Sequence, residues 1–244
     1  MKIKGSTVLI TGAARRVGRE IALAMARAGA HVIVHYRNSQ KEAKRLAAEI
    51  QSLGVKASLI KADLSQIRQV HRLLTTISKR SSPIDVLINN ASVFYRTPLQ
   101  NVTEKQWDEI FNTNLRAPFF LSRDIGLRMK KAGKGKIINI ADWSGLRPYS
   151  GYIPYCLSKG ALMTMTQALA RDLAPEVQVV AVAPGPVMWP EGLGEKEKRT
   201  VIEKTPLRRL GSPKDVVETV RFLVEGSDFM TGSTIFVDGG RLIA

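Results

Sequence analysis

Cysteine, histidine and acidic residues are all scarce in this chain of 244 residues. The single cysteine, Cys156, excludes an internal disulfide and is typical of a reducing compartment. The three histidines, His31, His35 and His71, are scattered without metal-ligand spacing, so no metal site is predicted. The apolar runs are too short for a signal-peptide core or a membrane span. We therefore expect a cytoplasmic protein that binds neither a metal nor a membrane.

The scarcity of acids leaves a large positive charge on the chain. There are 37 Lys and Arg against 21 Asp and Glu, which gives a formal net charge of +16. Such an excess favours anionic partners, including dinucleotides, acidic substrates, membrane surfaces and nucleic acids. The basic residues are nevertheless spread along the chain, with no aromatic-interleaved basic tract and no nucleic-acid motif. The pattern predicts a solvated basic surface rather than specific nucleic-acid binding.

Short apolar runs alternate with amphipathic stretches throughout. Strands are predicted at Val8 to Ile10, Ala30 to His35, Val55 to Lys61, Ile84 to Asn89, Lys136 to Ala141, Val177 to Ala183 and Ile235 to Val237. Helices are predicted at Gly18 to Ala28, Gln40 to Leu53, Gln66 to Lys79, Thr103 to Lys130, Tyr155 to Leu173 and Pro213 to Glu225. This alternation indicates an α/β fold, a parallel sheet of about seven strands flanked by helices on both faces. We predict one domain over residues 1–244, in which the irregular residues 184–212 form a lid over a site.

A glycine-containing turn, Thr11 to Gly18, joins the first strand to the first helix. Glycines let the backbone turn tightly, and a helix N-terminus offers free N–H groups and a positive dipole to a pyrophosphate. Glycine is also common in strand–helix turns that bind nothing. Placement in the first strand–helix unit predicts dinucleotide binding here. The turn residues assigned to the cofactor are Gly12, Arg15, Arg16, Val17 and Gly18.

The end of the second strand bears on the choice between NAD and NADP. An NAD enzyme usually places an acid about 20 residues past the glycines, where it binds the ribose 2′-hydroxyl. This chain carries Tyr36, Arg37, Asn38 and Ser39 there, and no acid. A guanidinium and a hydroxyl suit a 2′-phosphate, so NADPH is the predicted cofactor. The alternative is a solvated turn.

Three further segments follow predicted strands, at the edge where open sheets bind ligands. Asp63-Leu64 closes the third strand, where the aspartate is expected either to meet the adenine or to cap the next helix. Asn90-Ala91-Ser92 ends the fourth strand and Pro184-Gly185 follows the sixth. All three segments are assigned to the cofactor.

Tyr155 and Lys159 stand four residues apart at the head of an apolar helical stretch, and Asp142 lies thirteen residues before the tyrosine. Positions i and i+4 share one face of a helix. The Lys159 ammonium is therefore expected to stabilise the phenolate and to lower the pKa of Tyr155 from its ordinary value of about 10. This predicts a proton donor beside a nicotinamide.

Taken together, these segments resemble the short-chain dehydrogenase/reductase family. The similarity covers nearly the whole chain and adds Asn114 and Asp238-Gly239-Gly240 to the motifs above. It implies a single-domain Rossmann fold with a doubly wound sheet, in which Tyr155 donates a proton. Lys159 would bind the nicotinamide ribose, and Asn114 would hold a water in the proton relay. Relatives pack the two long helices predicted above into dimers and tetramers, so the resemblance also implies a homo-oligomer, a dimer or homotetramer.

Two departures from the family pattern narrow the substrate. Arg16 stands where the family usually has a small residue, and it places a cation between the cofactor phosphates and the substrate cavity. Asp142 stands where the family usually has the serine that polarises a ketone, although an ionised carboxylate would repel the developing alkoxide. An aspartate suits a substrate that is protonated at nitrogen or that carries amino groups. The alternative is that Ser144, two residues on, acts as the usual serine.

Both departures resemble the group of pteridine and dihydromonapterin reductases, as do the segments Asn90 to Leu99 and His35 to Ser39. This similarity implies that Phe94 stacks on a flat pterin and that Ser92 bonds the cofactor or the pterin. The alternative for Phe94 is a loop residue that covers the core.

The predicted activity is NADPH-dependent hydride transfer to a dihydropterin or folate-type ring, with Tyr155 as proton donor. Arg16, Ser92, Phe94, Asp142 and Tyr155 form the predicted substrate site. One alternative is a carbonyl reductase that acts on a 3-oxoacyl thioester or another ketone. Another is a non-catalytic protein that binds NADPH or nucleic acid.

Overall fold

A parallel sheet forms the centre of the protein, in a computed structural model that describes residues 1–79, 82–190 and 192–244. Within these ranges the seven strands are β1 (Thr7–Ile10), β2 (His31–Tyr36), β3 (Ala57–Lys61), β4 (Val86–Asn89), β5 (Gly135–Ile140), β6 (Val177–Pro184) and β7 (Thr234–Val237). Their order is β3-β2-β1-β4-β5-β6-β7, and every neighbouring pair is parallel. The order reverses between β1 and β4, which are hydrogen-bonded neighbours.

Helices cover both faces of this sheet. The helices in the same ranges are α1 (Arg16–Arg27), α2 (Gln40–Ser52), α3 (Ile67–Ser78), α4 (Glu104–Phe111), α5 (Ala117–Lys131), α6 (Ile153–Leu173), α7 (Glu195–Glu203) and α8 (Pro213–Glu225). Side chains of α1, α2 and α8 pack in one apolar cluster, and those of α3, α5 and α6 pack in a second. Within β1, Val8 and Ile10 join the first cluster and Leu9 joins the second. Because successive side chains point to opposite faces, both faces of a covered strand must be apolar. The predicted α/β fold with a doubly wound sheet is confirmed.

The helix predicted as one piece over Thr103 to Lys130 is interrupted. A π-turn at Asn112–Arg116 separates α4 from α5, and the Ala117 N–H bonds to the carbonyl of Asn112, five residues back. Pro118 lacks an N–H and cannot bond to the carbonyl of Asn114, four residues before it. The prediction of a continuous helix was wrong at this turn, which sets the position of Asn114.

The segment predicted as an irregular lid, residues 184–212, contains the helix α7. The Gly194 N–H donates to Glu197 Oε2 across 2.9 Å, and this bond caps the N-terminus of α7. All nine residues of α7 remain at least partly exposed, so little apolar packing holds the helix to the sheet. Residue 191, within the same segment, lies outside the described residues. None of the helices described is both long enough and apolar enough to cross a membrane.

Candidate active site

A cavity of about 1190 Å³ opens along the carboxyl ends of the strands and includes the point where the strand order reverses. Open α/β sheets bind ligands at such a point. The predicted site residues that line the cavity are Gly12, Arg15, Arg16, Val17, Gly18, Tyr36, Arg37, Asn38, Ser39, Asp63, Leu64, Asn90, Ala91, Ser92, Phe94, Asp142, Tyr155, Lys159, Pro184 and Gly185. Asn114 is buried behind this lining. No group of three potential metal ligands occurs in the part of the chain that the structure describes.

The glycine turn depends on two close approaches of backbone. Gly12 has a φ of +63°, and a Cβ there would lie 2.9 Å from Ala91 Cα. A Cβ on Gly18 would lie 2.5 Å from both Asn90 Nδ2 and Gly12 O. The Asn90 amide donates to the carbonyls of Thr11 at 2.9 Å and Gly12 at 3.2 Å. Asn90, which directly follows β4, therefore holds the glycine turn in place.

The N-terminus of α1 is suited to an anion. Arg15 stands at the N-cap without capping the helix through its side chain, and the first turn carries no acid. The first N–H groups of a helix have no partner within the helix, so they are available to a pyrophosphate. Arg16 has a φ of +53°, the left-handed conformation that glycine adopts most easily. A glycine would adopt this backbone with less strain than Arg16 does, and the whole turn fits a dinucleotide.

His35 holds the glycine turn in place through a hydrogen bond, a role that no pattern in the sequence indicated. The buried imidazole accepts a hydrogen bond at Nδ1 from the Gly12 N–H across 3.0 Å. Its Nε2 lies 3.1 Å from Ala62 O, and because a carbonyl only accepts, Nε2 carries the proton. Burial lowers the pKa of His35 from 6.5 to about 4. The ring is thus neutral, with the acceptor that Gly12 needs.

Arg37 lies between two carboxylates at the end of β2. Its guanidinium pairs with Asp63 across 2.9 Å and with Glu109 across 3.1 Å, and the side chain keeps 45% of its surface exposed. Asp63 also accepts hydrogen bonds from the N–H and hydroxyl of Ser65. Gln66, not Asp63, occupies the N-cap of α3, so the capping alternative for Asp63 was wrong. Asp63 pairs with the cation that the sequence assigns to the 2′-phosphate, and its contact with the adenine stays a prediction.

Tyr155, Asp142 and Lys159 come together at the centre of the cavity. The Tyr155 hydroxyl donates to Asp142 Oδ2 across 2.9 Å, and Oδ1 of the same carboxylate accepts the Ser144 N–H across 2.8 Å. Lys159 Nζ donates to Ile140 O across 2.8 Å and lies 5.7 Å from the centroid of the Tyr155 ring. Tyr155 and Lys159 lie one turn apart near the start of α6, as the i, i+4 spacing predicts.

The electrostatics of this group differ from the prediction. Burial, followed by the Asp142 carboxylate, raises the pKa of Tyr155 well above its ordinary value. Burial also raises the pKa of Asp142 and lowers that of Lys159 from 10.5 to about 8, although the Asp142 charge acts on Lys159 in the opposite direction. The predicted lowering of the Tyr155 pKa by Lys159 was therefore wrong for this structure. Asp142 and the low polarity of the site outweigh the ammonium.

Asn114 lies in the π-turn and fastens two segments together. Its Nδ2 donates to Val93 O and to Ser158 Oγ, both across 3.1 Å. Its Oδ1 accepts from the Val93 N–H across 2.8 Å and from the Ser92 hydroxyl across 3.3 Å. The amide thus joins the loop after β4 to α6. Its role in holding a relay water stays a prediction.

Ser144, the alternative to Asp142, does not line the cavity. The residue is fully buried and lies behind the cavity lining, while Asp142 is only partly buried and lines the cavity. Asp142, rather than Ser144, therefore presents its side chain to the cavity.

An aromatic wall extends from Tyr155 along the cavity. Phe94, 41% exposed, stacks on Tyr152 at 4.8 Å between centroids and meets Tyr155 edge-on at 4.7 Å. Tyr152 contacts Tyr149 at 5.1 Å, and Tyr149 contacts Trp143 at 5.8 Å. Phe94 thus belongs to the cavity wall, and the alternative that it covers the core was wrong. The three tyrosines recur at intervals of three residues, a signal that could have indicated the wall from sequence.

Comparison with known proteins agrees with this geometry. Residues 6–199 match the family described as short chain dehydrogenase. The 3-oxoacyl-[acyl-carrier-protein] reductase FabG of Staphylococcus epidermidis is 32% identical over 238 residues, which cover 96% of this chain and 98% of that protein. Two solved structures are also similar over the full chain. FolM alternative dihydrofolate reductase 1 from Brucella canis, complexed with NADP, has 32% identity and a TM-score of 0.90, with 97% of that chain covered. Gluconate 5-dehydrogenase from Burkholderia cenocepacia, in complex with NADP and tartrate, has 30% identity and a TM-score of 0.92, with 98% covered.

Proposed function

The chain belongs to the short-chain dehydrogenase family, and within that family we propose that it is an NADPH-dependent reductase of a pterin, either a dihydropterin or a folate-type ring. The observation that carries the proposal is the hydrogen bond from Tyr155 to Asp142. A carboxylate occupies the position from which a serine would polarise a ketone. Such a group repels a developing alkoxide but suits a basic nitrogen or an amino group.

The residues of the cavity divide between cofactor and substrate. NADPH, when bound, supplies the hydride. The uncapped N-terminus of α1 would hold the pyrophosphate, Arg37 the 2′-phosphate and Lys159 the nicotinamide ribose. Support for NADP over NAD comes from Arg37 and from the similar structures, which contain NADP.

Tyr155 and Asp142 would deliver the proton. The raised pKa of Tyr155 keeps its hydroxyl protonated at neutral pH, so it remains a donor. When a ring nitrogen displaces Asp142 as the acceptor, the hydroxyl gives its proton to that nitrogen as the adjacent carbon receives hydride. Burial raises the pKa of Asp142, so this carboxylate takes up a proton more readily than a free aspartate and can share or relay the proton with Tyr155.

Phe94 and Arg16 would position the ring. Phe94 is partly exposed and meets the ring of Tyr155 edge-on, and a planar heteroaromatic gains from contact with an exposed aromatic face. The Arg16 guanidinium reaches Trp189 O in the segment 184–212 across 3.4 Å. This contact supports the proposal that the segment closes over the substrate as a lid.

A carbonyl reductase is the second candidate, favoured by the similarity to the 3-oxoacyl reductase over 98% of its length. The buried position of Ser144 opposes it. The deciding experiment follows loss of NADPH absorbance with dihydrobiopterin, a simple ketone and a 3-oxoacyl thioester. Turnover of the pterin alone supports the proposal, while turnover of the ketone or the thioester alone assigns the chain to carbonyl reduction.

We also propose a cytoplasmic homo-oligomer, a dimer or tetramer. Large apolar side chains are exposed on the helices expected to pair: Trp107 on α4, Phe119 and Leu127 on α5, and Leu157 on α6. Size-exclusion chromatography with light scattering tests this assembly, and a monomer at micromolar concentration would contradict it.

A further inference from the structure

Arg241 is a partly buried cation that lines the cavity from the C-terminal residues. Its guanidinium lies over the ring of Trp143, 4.9 Å from the centroid. Its Nε is buried and has no hydrogen-bond partner among the residues described. A buried donor normally has an acceptor, so this atom indicates that an acceptor is supplied from elsewhere.

The charges around Arg241 favour an anion as that acceptor. Arg147 donates from Nη1 to the carbonyl of Arg241 across 3.0 Å, which brings a second cation close. The nearby Asp238 carboxylate accepts the N–H groups of Gly240 and Leu242 and so belongs to its own turn. Burial and the charge of Arg147 lower the pKa of Arg241, against a smaller opposite effect of Asp238. An anion in the cavity would offset both cations.

The aromatic wall connects this cation to the catalytic group. It runs from Tyr155 through Phe94, Tyr152, Tyr149 and Trp143, and each ring contacts the next within 5.8 Å. Arg241 lies on the last ring. A substrate that reacts at Tyr155 and contacts these rings in turn would reach the guanidinium at the last of them. Aromatic groups suit the wall, and a carboxylate suits its end.

We propose that Arg241 binds a carboxylate on the tail of the substrate, so that the preferred substrate is a folate-type dihydropterin with an aromatic, acidic tail. A dihydropterin with a short neutral side chain would leave the Arg241 end of the wall unoccupied. The inference rests on the proposed pterin reduction. It adds the class of substrate and a residue that selects it.

The test compares dihydrofolate with dihydrobiopterin in the wild type and in Arg241→Gln. We expect the ratio of kcat/KM for dihydrofolate to that for dihydrobiopterin to fall at least tenfold, mainly through KM for dihydrofolate, because Arg241 contacts Trp143 and not the reacting hydroxyl of Tyr155. Arg241→Lys should retain part of the ratio. Lys214→Gln, which removes a cation from an exposed site on α8, should leave the ratio within about twofold of the wild type. An Arg241→Gln ratio equal to that of the wild type would overturn the proposal.

A binding measurement separates this proposal from the proposed function. Calorimetric titration of the NADP-loaded protein with folic acid does not require turnover. If the wild type turns over neither pterin but binds folic acid, and Arg241→Gln weakens that binding tenfold or more, the anion site stands while pterin reduction fails. If the wild type does not bind folic acid, or if both proteins bind it equally, the proposal for Arg241 is wrong. Unchanged NADPH affinity and circular dichroism would establish that the variant is folded.

Discussion

The hydroxyl of Tyr155 and the carboxylate of Asp142 share one hydrogen bond of 2.9 Å. The protonation state of each group therefore depends on the other, because the Asp142 charge is second only to burial in raising the pKa of Tyr155. A neutral serine in place of Asp142 would exert no such charge. The cavity therefore contains a tyrosine that stays protonated and a carboxyl group whose own pKa is raised by burial, which together can hold a proton for a basic substrate.

Replacing Tyr155 with Phe should remove catalysis and spare cofactor binding. The change deletes the proton donor and keeps the ring that meets Phe94 edge-on. General acid catalysis typically contributes about 10²–10⁴-fold to the rate, so we expect kcat to fall by at least about 10²-fold. Stopped-flow kinetics and NADPH fluorescence titration measure the two effects separately. Turnover retained within tenfold of the wild type would contradict the assignment of Tyr155.

Replacing Asp142 with Asn should shift the alkaline limb of the pH–rate profile to lower pH. The Asp142 charge raises the pKa of Lys159, which burial holds at about 8, and without this charge the ammonium loses its proton at lower pH. Activity that needs charged Lys159 should then decline earlier as pH rises. Profiles of kcat/KM from pH 5.5 to 9.5 test this shift. Asp108→Asn, the same change at an exposed position of α4, serves as control, and coincident profiles would contradict the prediction.

Replacing Asp142 with Ser tests the choice of substrate. The variant restores the residue that polarises ketones in the family pattern, at a position that lines the cavity. We expect pterin turnover to fall about 10²-fold or more and ketone reduction to appear. The assay uses both substrates at fixed NADPH. Surviving pterin reduction without any ketone reduction would show that the carboxylate does not select the substrate.

Local chemistry made part of this site predictable from sequence. The glycine turn and the Tyr155–Lys159 spacing each act within a few residues, and the structure places both at the predicted edge of the sheet. Contacts between distant segments determine three features that were not predicted: the π-turn, the hydrogen bond between His35 and the glycine turn, and the position of Arg241. Arg241, for example, meets Trp143 across almost a hundred residues. The pKa of Tyr155 was predicted in the wrong direction for the same reason, since burial is a property of the folded chain.

Replacing Arg37 with Gln should reduce the preference for NADPH over NADH. The change removes a cation assigned to the 2′-phosphate and leaves the carboxylates of Asp63 and Glu109 without this partner. Both carboxylates would then repel the phosphate, while NADH carries a hydroxyl there. We expect kcat/KM for NADPH to fall about 10–100-fold, equivalent to about 1.4–2.8 kcal/mol, with a smaller change for NADH. Arg45→Gln, an exposed position of α2, is the matched control, and equal losses with both cofactors would contradict the assignment.

His35 should make the stability of the fold sensitive to acid. The unfolded chain binds a proton at His35 near pH 6.5, whereas the folded chain does so only near pH 4. Between these values the unfolded state binds more protons, so the stability contributed by neutral His35 is complete above pH 6.5 and is lost as pH falls toward 4. The loss amounts to about 3 kcal/mol at most. Protonation would also remove the acceptor of the Gly12 N–H, so NADPH affinity should weaken over the same range.

Urea unfolding at pH 7, 5.5 and 4.5 measures the loss of stability. His35→Asn is the variant that cannot take up this proton, and His71→Gln is the control at an exposed position. If the free energies of unfolding of the wild type and His35→Asn fall in parallel, His35 is not the group that titrates.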